Sequence, residues 1–315
     1  GQLHLHSGKS GDSHTAPEVV ADWYAARGFD FIVFTDHNVV TDTPDRPSML
    51  TMPGVELTQN PSRCEPPPDP GQGCLLHVNA LFLTSPNTSV VFPEPSPLSR
   101  VEIFRRGLKE ASRLGGIAQI NHPNFHRALD VDLLVTLAGE GAALLEVANE
   151  AVDSENQGDA RQPSTEALWD AALTRGARLF GTATDDAHHY FDADAVRAAG
   201  DVAHVGDRGF VMVRAEKRAS AIRDAVLRGD FYGSTGLFFD RLELSPEAIA
   251  VDVRGSVPVT IEVIGAGGVV LKRVDSASLR FDPREAPAGY VRVRAKDGNG
   301  KRAFSQPVWT RPKSD

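Results

Sequence analysis

An α/β barrel of about seven strands, followed by a small antiparallel β domain, is the fold that this 315-residue sequence predicts. Three observations predict it. Strand-like and helix-like segments alternate up to about residue 236, the pattern of repeated βα units. Nearly all of the short His/Asp/Glu clusters fall at or just beyond the end of an apolar, strand-like run, which gathers the chemistry on one rim. From about Leu237 the helical period is gone, and short β-branched runs alternate with turn signals.

The elements follow in order. Residues 2–6 form an opening strand that carries His4 and His6. The first helix takes Thr15 as its N-cap, has Pro17 in its first turn and stops at Gly28. Val20, Trp23 and Tyr24 give it one apolar face, so both aromatics are expected in the core. Residues 31–35 are a continuous apolar run, as a strand buried on both faces requires. Strands are expected at 50–55, just before Glu56, and at 75–83, with His77 near the start. Helix 99–114 leads into strand 116–121, helix 131–137 into strand 143–147, and helix 164–174 into strand 178–183. Strand 210–213 and helix 219–227 close this part. Segment 192–208 reads as irregular, with the length of a lid. The later strands are 242–244, 250–253, 259–264, 269–274, 290–295 and 303–308, with hairpin turns at 265–268 and 297–300. The expected division is 1–236 and 237–315. The second part contains no histidine, which makes it structural or a binding accessory.

Composition narrows the class. Apolar content of 41% and charged content of 24% suit a soluble globular protein, and no run approaches a membrane span. A net charge of −9 argues against a broad nucleic-acid surface, which would have to neutralise phosphates. A small-molecule substrate fits better; the oligomeric state is not legible. Cys64 and Cys74 sit ten positions apart in a Pro-rich loop. A disulfide that closes the loop is favoured over two free thiols, and two cysteines alone do not complete a structural zinc site. A disulfide would favour a secreted or periplasmic home, free thiols a cytoplasmic one.

Six of the ten histidines lie in the rim pattern, with His4-Leu5-His6, Asp12, Asp36-His37, Glu56, His77, His122 and Asp186-Ala187-His188 as its members. His4 and His6 point to one face of an extended strand and suit a shared ion. Each short motif is weak in isolation, since His-x-His also describes two half-buried strand histidines. Together they point to divalent metals held by imidazole and carboxylate. His14 reads as solvated.

The series resembles the PHP (polymerase and histidinol phosphatase) superfamily of metal-dependent hydrolases. The resemblance lies in His4-x-His6 with Ser7, Asp12, the Pro17-Glu18 helix start, residues 28–38 ending in Thr-Asp-His-Asn, and Gly54-Val-Glu56. It continues through His77, Asn121-His-Pro123, Glu146-Val-Ala-Asn149 and Thr184-Asp-Asp-Ala-His188, covering about residues 1–236. The Asp-His-Asn element, residues 231–236 and the following β domain look most like the branch that includes carbamate hydrolases. The resemblance implies a distorted (β/α)7 barrel holding two or three divalent ions of zinc, manganese or iron. One ion would take His4, His6, Glu56 and Asp186. A second would share Glu56 and take His77 and His122. A third would use Asp12, His37 and His188, although many relatives have a histidine where Asp12 falls. Asp36 and Asp185 are expected to orient His37 and neighbouring groups by hydrogen bonds.

The ions set the expected mechanism, in which a water between two metals loses its proton and attacks while the metals polarise the substrate. Ser7 and Ser10 are then loop hydrogen-bonders, and His189 and His126 are candidates for protonating the leaving group. Lys9, Arg63 and Arg127 fall on rim loops and suit phosphate oxygens, which favours a small phosphoester. Carbamate or amide hydrolysis on the same centre is the alternative. A non-catalytic metal- or ligand-binding module is the rival of another class.

Overall fold

Burial sorts the strands of this chain into two kinds. Those before residue 200 are nearly all sealed on both faces, whereas several later ones alternate. The structure, a computed structural model, describes residues 1–84, 89–92, 98–255 and 258–310. Residues 311–315 of the expected second part therefore lie outside the described residues.

Helix α1 (Pro17–Ala25) buries Val20, Ala21, Trp23 and Tyr24. Ala16, not Thr15, is its N-cap, and no side chain caps it. Pro17 brings no N–H into the first turn, so there is one donor fewer to satisfy. β1 (Phe31–Phe34) pairs in parallel with β2 (Leu50–Pro53). β3 (Val55–Gln59) follows after Gly54, so Glu56 lies inside a strand rather than beyond one. A Cβ on Gly54 would sit 2.7 Å from the Phe34 carbonyl oxygen, and the side chain is absent because two backbones meet there.

Two-residue strands β4 (Cys64–Glu65) and β6 (Leu98–Ser99) pair with each other across the loop region, with β5 (Leu76–Leu81) between them in sequence. α2 (Arg100–Arg113) opens with a capping box between Ser99 and Glu102, a device that stabilises a helix by about 1 kcal/mol. β7 (Ile117–Ile120), α3 (Val131–Gly139), β8 (Leu144–Asn149), α4 (Thr165–Thr174) and β9 (Phe180–Thr184) complete the βα series. The sheet order is β3-β5-β7-β8-β9.

This sheet is mixed, whereas the βα alternation predicts a parallel one. β7, β8 and β9 run parallel, but β5 is antiparallel to both β3 and β7. The cause is the connection. A loop without a helix joins β3 to β5, so the chain turns back at the rim instead of crossing over. Among the described residues, no continuous ladder closes the sheet into the expected seven-stranded barrel. Isolated bridges link the neighbouring segments instead, Leu5 to Ala187, Gln2 to Ile32 and His37 to Glu56, and the expected opening strand 2–6 is present only as the bridges at Gln2 and Leu5. Left-handed backbone at Asn38 (φ 54°) and Asp186 (φ 51°) interrupts the ladders near these points.

Segment 192–208 is less irregular than its sequence suggests, for it contains the short helix α5 (Ala193–Ala198). β10 (Phe210–Val213), α6 (Ala219–Arg228) and β11 (Phe231–Ser234) come next. Eight strands follow: β12 (Phe239–Leu244), β13 (Ile249–Val253), β14 (Val259–Gly265), β15 (Val269–Val274), β16 (Ser278–Phe281), β17 (Gly289–Asp297), β18 (Arg302–Ser305) and β19 (Val308–Thr310). One sheet runs β10-β11-β18-β17-β14-β15 with β19 added on β17, and the other is β12-β13-β16. Val251, Ile261, Val263 and Val293 share one buried cluster between them. β10 and β11 precede residue 237, yet they hydrogen-bond into the later sheet.

Polar contacts of Gln306 and Arg292 help to fasten the later sheets to the earlier ones. Gln306 exchanges two 2.8 Å hydrogen bonds with the backbone of Gly181 on β9. Arg292, fully buried, donates to both oxygens of Asp170 and to Glu166 on α4 at 2.7–2.8 Å. No helix among the described residues is long and apolar enough to cross a membrane.

Candidate metal centre

Parallel strands bring their C-terminal ends to one rim, while an antiparallel neighbour brings its N-terminal end there. The rim therefore collects residues 35–37 after β1, 121–122 after β7, 185–188 after β9, and His77 from the start of β5. Glu56 on β3 lies at its middle. His4, His6 and Glu56 are almost wholly inaccessible, at 0%, 0% and 1% exposure.

Nine residues converge in three groups, each with ligand atoms within 4.8 Å of one another. The groups are His4, His6 and Asp186; Glu56, His77 and His122; and His6, Asp12, His37 and His188. His6 thus stands between the first and third. Glu56 joins them all. Its Oε1 lies 3.5 Å from His4 Nε2, 3.1 Å from His77 Nδ1 and 3.3 Å from His122 Nε2. Its Oε2 lies 3.7 Å from His6 Nε2 and 2.7 Å from His37 Nδ1. Asp186 Oδ1 stands 3.2 and 3.1 Å from the Nε2 atoms of His4 and His6, and Asp12 Oδ2 stands 2.9 and 3.4 Å from those of His37 and His188.

This donor set fits divalent cations. His4 and His6 turn their Nε2 atoms toward each other at 3.3 Å, and His77 Nδ1 faces His122 Nε2 at the same distance. Lone pairs this close, beside carboxylates, need a cation or protons between them. The remaining ring nitrogen of most of these histidines is already held. His4 Nδ1 lies 2.7 Å from Glu146, His6 Nδ1 lies 2.8 Å from Ser10 and His77 Nε2 lies 2.7 Å from Asn60, an arrangement that orients imidazoles for metal. His122 Nδ1 is buried without a partner.

Glu146, quoted above only as part of a motif, is a hub. Besides His4, it accepts from the His122 backbone N–H at 2.7 Å, from Asn149 at 2.9 Å and from Thr184 at 2.8 Å. The sequence signal was a carboxylate inside an apolar strand, where a charge demands partners. Two group members have strained backbones, His122 at φ 23° and Asp186 at φ 51°, at a cost on the order of 1 kcal/mol or more each. Each has its N–H pinned, His122 by Glu146 and Asp186 by the His4 carbonyl at 3.0 Å.

Charge is balanced locally. Burial opposes ionisation of Glu56, but His77, His37 and His4 outweigh it and hold the carboxyl well below its usual range. Burial likewise opposes a proton on His4, yet Asp186, Glu146 and Glu56 raise that imidazole well above its ordinary value. His6 goes the other way, pushed down to about 4 by burial and by His188 and His37.

The other expected site residues fall elsewhere. Asp185 does not orient His37. Its oxygens accept from Gln2 at 2.5 Å, from Tyr24 at 2.9 Å and from the backbone N–H groups of Asp207, Arg208 and Gly209 at 2.8 Å, which anchors the chain after α5. Asp36 accepts from Ser7 and Ser10, and Ser10 in turn meets His6, so the ring it helps to orient is that of His6. The His37 ring rests on Thr58, 2.7 Å away.

A cavity of about 420 Å³ opens over seven of the nine residues; His4 and His6 are not among its walls. Its remaining wall is Leu75, Phe125 and Ala151 on the apolar side and Thr58, Asn60, Asp153, Ser154 and His204 on the polar side. His126 is not on this wall, and its Nδ1 accepts from the Gly73 N–H at 2.8 Å. His189 stacks on His204, and His204 is the imidazole that reaches the cavity. Lys9 and Arg63 are exposed away from the wall, and Arg127 pairs with Asp159 and Asp69. A larger cavity of about 920 Å³ lies between α4 and the later sheets; Glu166, Glu262, Arg273 and Arg294 on its wall pair among themselves, and none of its residues belongs to a metal-type group. Next to the rim, Cys64 and Cys74 form a disulfide that closes the loop between β3 and β5.

No family model matches the sequence, and no curated protein matches it. Among solved structures, the chain is similar to a two-domain protein from Bacteroides vulgatus ATCC 8482 that contains a predicted PHP-like metal-dependent phosphoesterase. Identity is 17%, with 93% of this chain and 89% of that chain covered and a TM-score of 0.49. It is also similar to a DUF3244 family protein with an immunoglobulin-like β-sandwich fold from the same organism, at 14% identity. That match covers 23% of this chain and 92% of that chain, with a TM-score of 0.18.

Proposed function

We propose that this chain is a metal-dependent hydrolase of the PHP type, acting on a small molecule. The observation that carries the reading is Glu56, a buried carboxylate whose two oxygens face imidazoles of all three groups. A carboxylate so placed suits ions held side by side. The proposed ligands are His4, His6, Glu56 and Asp186 for one ion, Glu56, His77 and His122 for a second, and Asp12, His37 and His188 for a third. Bound zinc, manganese or iron would supply an activated water and polarise the scissile group. The chain's own part is to fix the imidazoles through Glu146, Ser10 and Asn60, and to hold the substrate in a cavity of ligand-binding size.

A phosphoester was favoured in the sequence by Lys9, Arg63 and Arg127, and the cavity wall includes none of them. That observation favours carbamate or amide hydrolysis as a second reading on the same centre. The disulfide supports an oxidising compartment, outside the cytoplasm. The strands from about Leu237 are proposed to pack as a unit that supplies no metal ligand.

Elemental analysis and a Glu56→Gln variant test the proposal. The full chain should carry two or three divalent ions. The variant should lose at least one of them, together with at least about a hundredfold in turnover. A chain that keeps its ions and hydrolyses neither phosphate esters nor carbamates would be the binding module instead.

A further inference from the structure

The part of the cavity wall that is not made of proposed ligands has a chemistry of its own. Thr58, Asn60 and Ser154 are uncharged, Leu75, Phe125 and Ala151 are apolar, Asp153 is a carboxylate and His204 is an imidazole beside it. Among the described residues, no Lys or Arg lines it. Among the nearby cations, Arg127 is paired with Asp159 and Asp69 and Arg302 faces Glu166 at 3.8 Å, while Arg208 lines a separate cavity of about 530 Å³ that shares Ala151 and Ser154 with this one. Glu56, Asp186 and Asp12 bring three carboxylates to the centre, whose charge the proposed divalent ions would offset, so the rest of the wall decides what further charge a substrate can carry. A phosphate monoester would add two more negative charges, and sites built for it supply Arg or Lys donors. Here the wall offers Asp153, which faces His204 Nδ1 at 3.7 Å, and no guanidinium or ammonium group.

The apolar side is equally specific. The Phe125 ring stands edge-on to the His122 ring at 5.1 Å, and Leu75 immediately precedes the strand that carries His77. An apolar surface therefore adjoins the Glu56, His77 and His122 group.

We infer that this site takes an ester or amide with at most one negative charge and an apolar, aryl-sized substituent seated on Leu75 and Phe125. The inference rests on the metallohydrolase reading. It is tested on the full chain loaded with manganese or zinc, comparing kcat/KM for four probes. They are para-nitrophenyl phosphate (a dianion), methyl para-nitrophenyl phosphate and bis(para-nitrophenyl) phosphate (both monoanions), and a neutral para-nitrophenyl carbamate. The best monoanionic or neutral probe should exceed the dianion by at least about a hundredfold, because beyond the ions the wall offers the dianion's outer oxygens no Lys or Arg. Phe125→Ala should lower the ratio of bis-aryl to methyl-aryl kcat/KM by about tenfold, mainly through KM, and Leu75→Ala should act in the same direction. Asp153→Asn should narrow the gap to the dianion by about threefold, a screened effect at a half-exposed group. Calorimetric binding of diphenyl phosphate against phenyl phosphate gives a readout independent of turnover and should favour the former. A dianion turned over or bound best, or an unchanged aryl ratio in both wall variants, overturns the inference while the metallohydrolase reading stands. A chain without ions removes both.

Discussion

Glu146 touches no substrate cavity, yet it holds His4 Nδ1, the His122 N–H and Asn149 at 2.7–2.9 Å. Replacing it with Gln keeps the shape and removes the charge that polarises His4. Metal affinity should fall about 10- to 100-fold, measured by competition with a coloured chelator. Unchanged affinity would mean that Glu146 is only a structural carboxylate. The proposed ligands were legible in the sequence because His, Asp and Glu interrupt apolar runs at their ends, where strands reach a rim. Asn60 and His204 carried no such signal, since loop residues have no period to break. Lys9, Arg63 and Arg127 show the opposite limit. Position after a strand end places a residue on the rim, but it does not say which way a long side chain turns, and Arg127 turns to Asp159 and Asp69.

At the scale of elements, strand existence was legible and strand direction was not. A buried apolar run has the same pattern whichever way it points, so β5 was indistinguishable from its parallel neighbours. Nor did any periodic signal reveal the contact between α4 and β17, where Arg292 is fully buried against Glu166 and Asp170. Burial penalises the Glu166 carboxylate, and Arg292, Arg294 and Arg302 outweigh that penalty, bringing it from the ordinary 4.5 to about 2. Its folded value is depressed, so its contribution is present above about 4.5 and is lost as pH falls toward about 2. Arg292→Met should cost about 3–5 kcal/mol in denaturant unfolding near neutral pH, by taking the guanidinium from buried Asp170 and leaving Glu166 only Arg294 and Arg302. That penalty should shrink between pH 4.5 and 2, and a pH-independent penalty would point to packing alone. The disulfide belongs to the same scale. Replacing Cys64 and Cys74 with Ala should cost about 2–3 kcal/mol by the chain-entropy argument, read from denaturation midpoints. Mass spectrometry without reductant should find neither thiol alkylatable.

Over the whole molecule, ions that bind the native chain and not the unfolded one stabilise it by mass action. Removing them with chelator should lower Tm by several degrees, since roughly 3 kcal/mol is at stake when the free ion exceeds Kd a hundredfold. Restoring one metal at a time should return the difference in steps. An unchanged Tm in a chain shown to be metal-free would separate the centre from stability.

His6 and Asp186 stand 3.1 Å apart in space and 180 residues apart in the chain. A ribosome adding roughly 5–20 residues per second makes the first partner some 10–40 s before the second. During that interval His4-Leu5-His6 is an open chelate on a growing polypeptide, with neither Asp186 nor His188 yet made. Ribosome-bound chains stopped short of Asp186 should hold no ion through washing, and chains released at full length should. Ions held by the proposed ligands would therefore be those of the place where folding finishes, not those of the place where translation began.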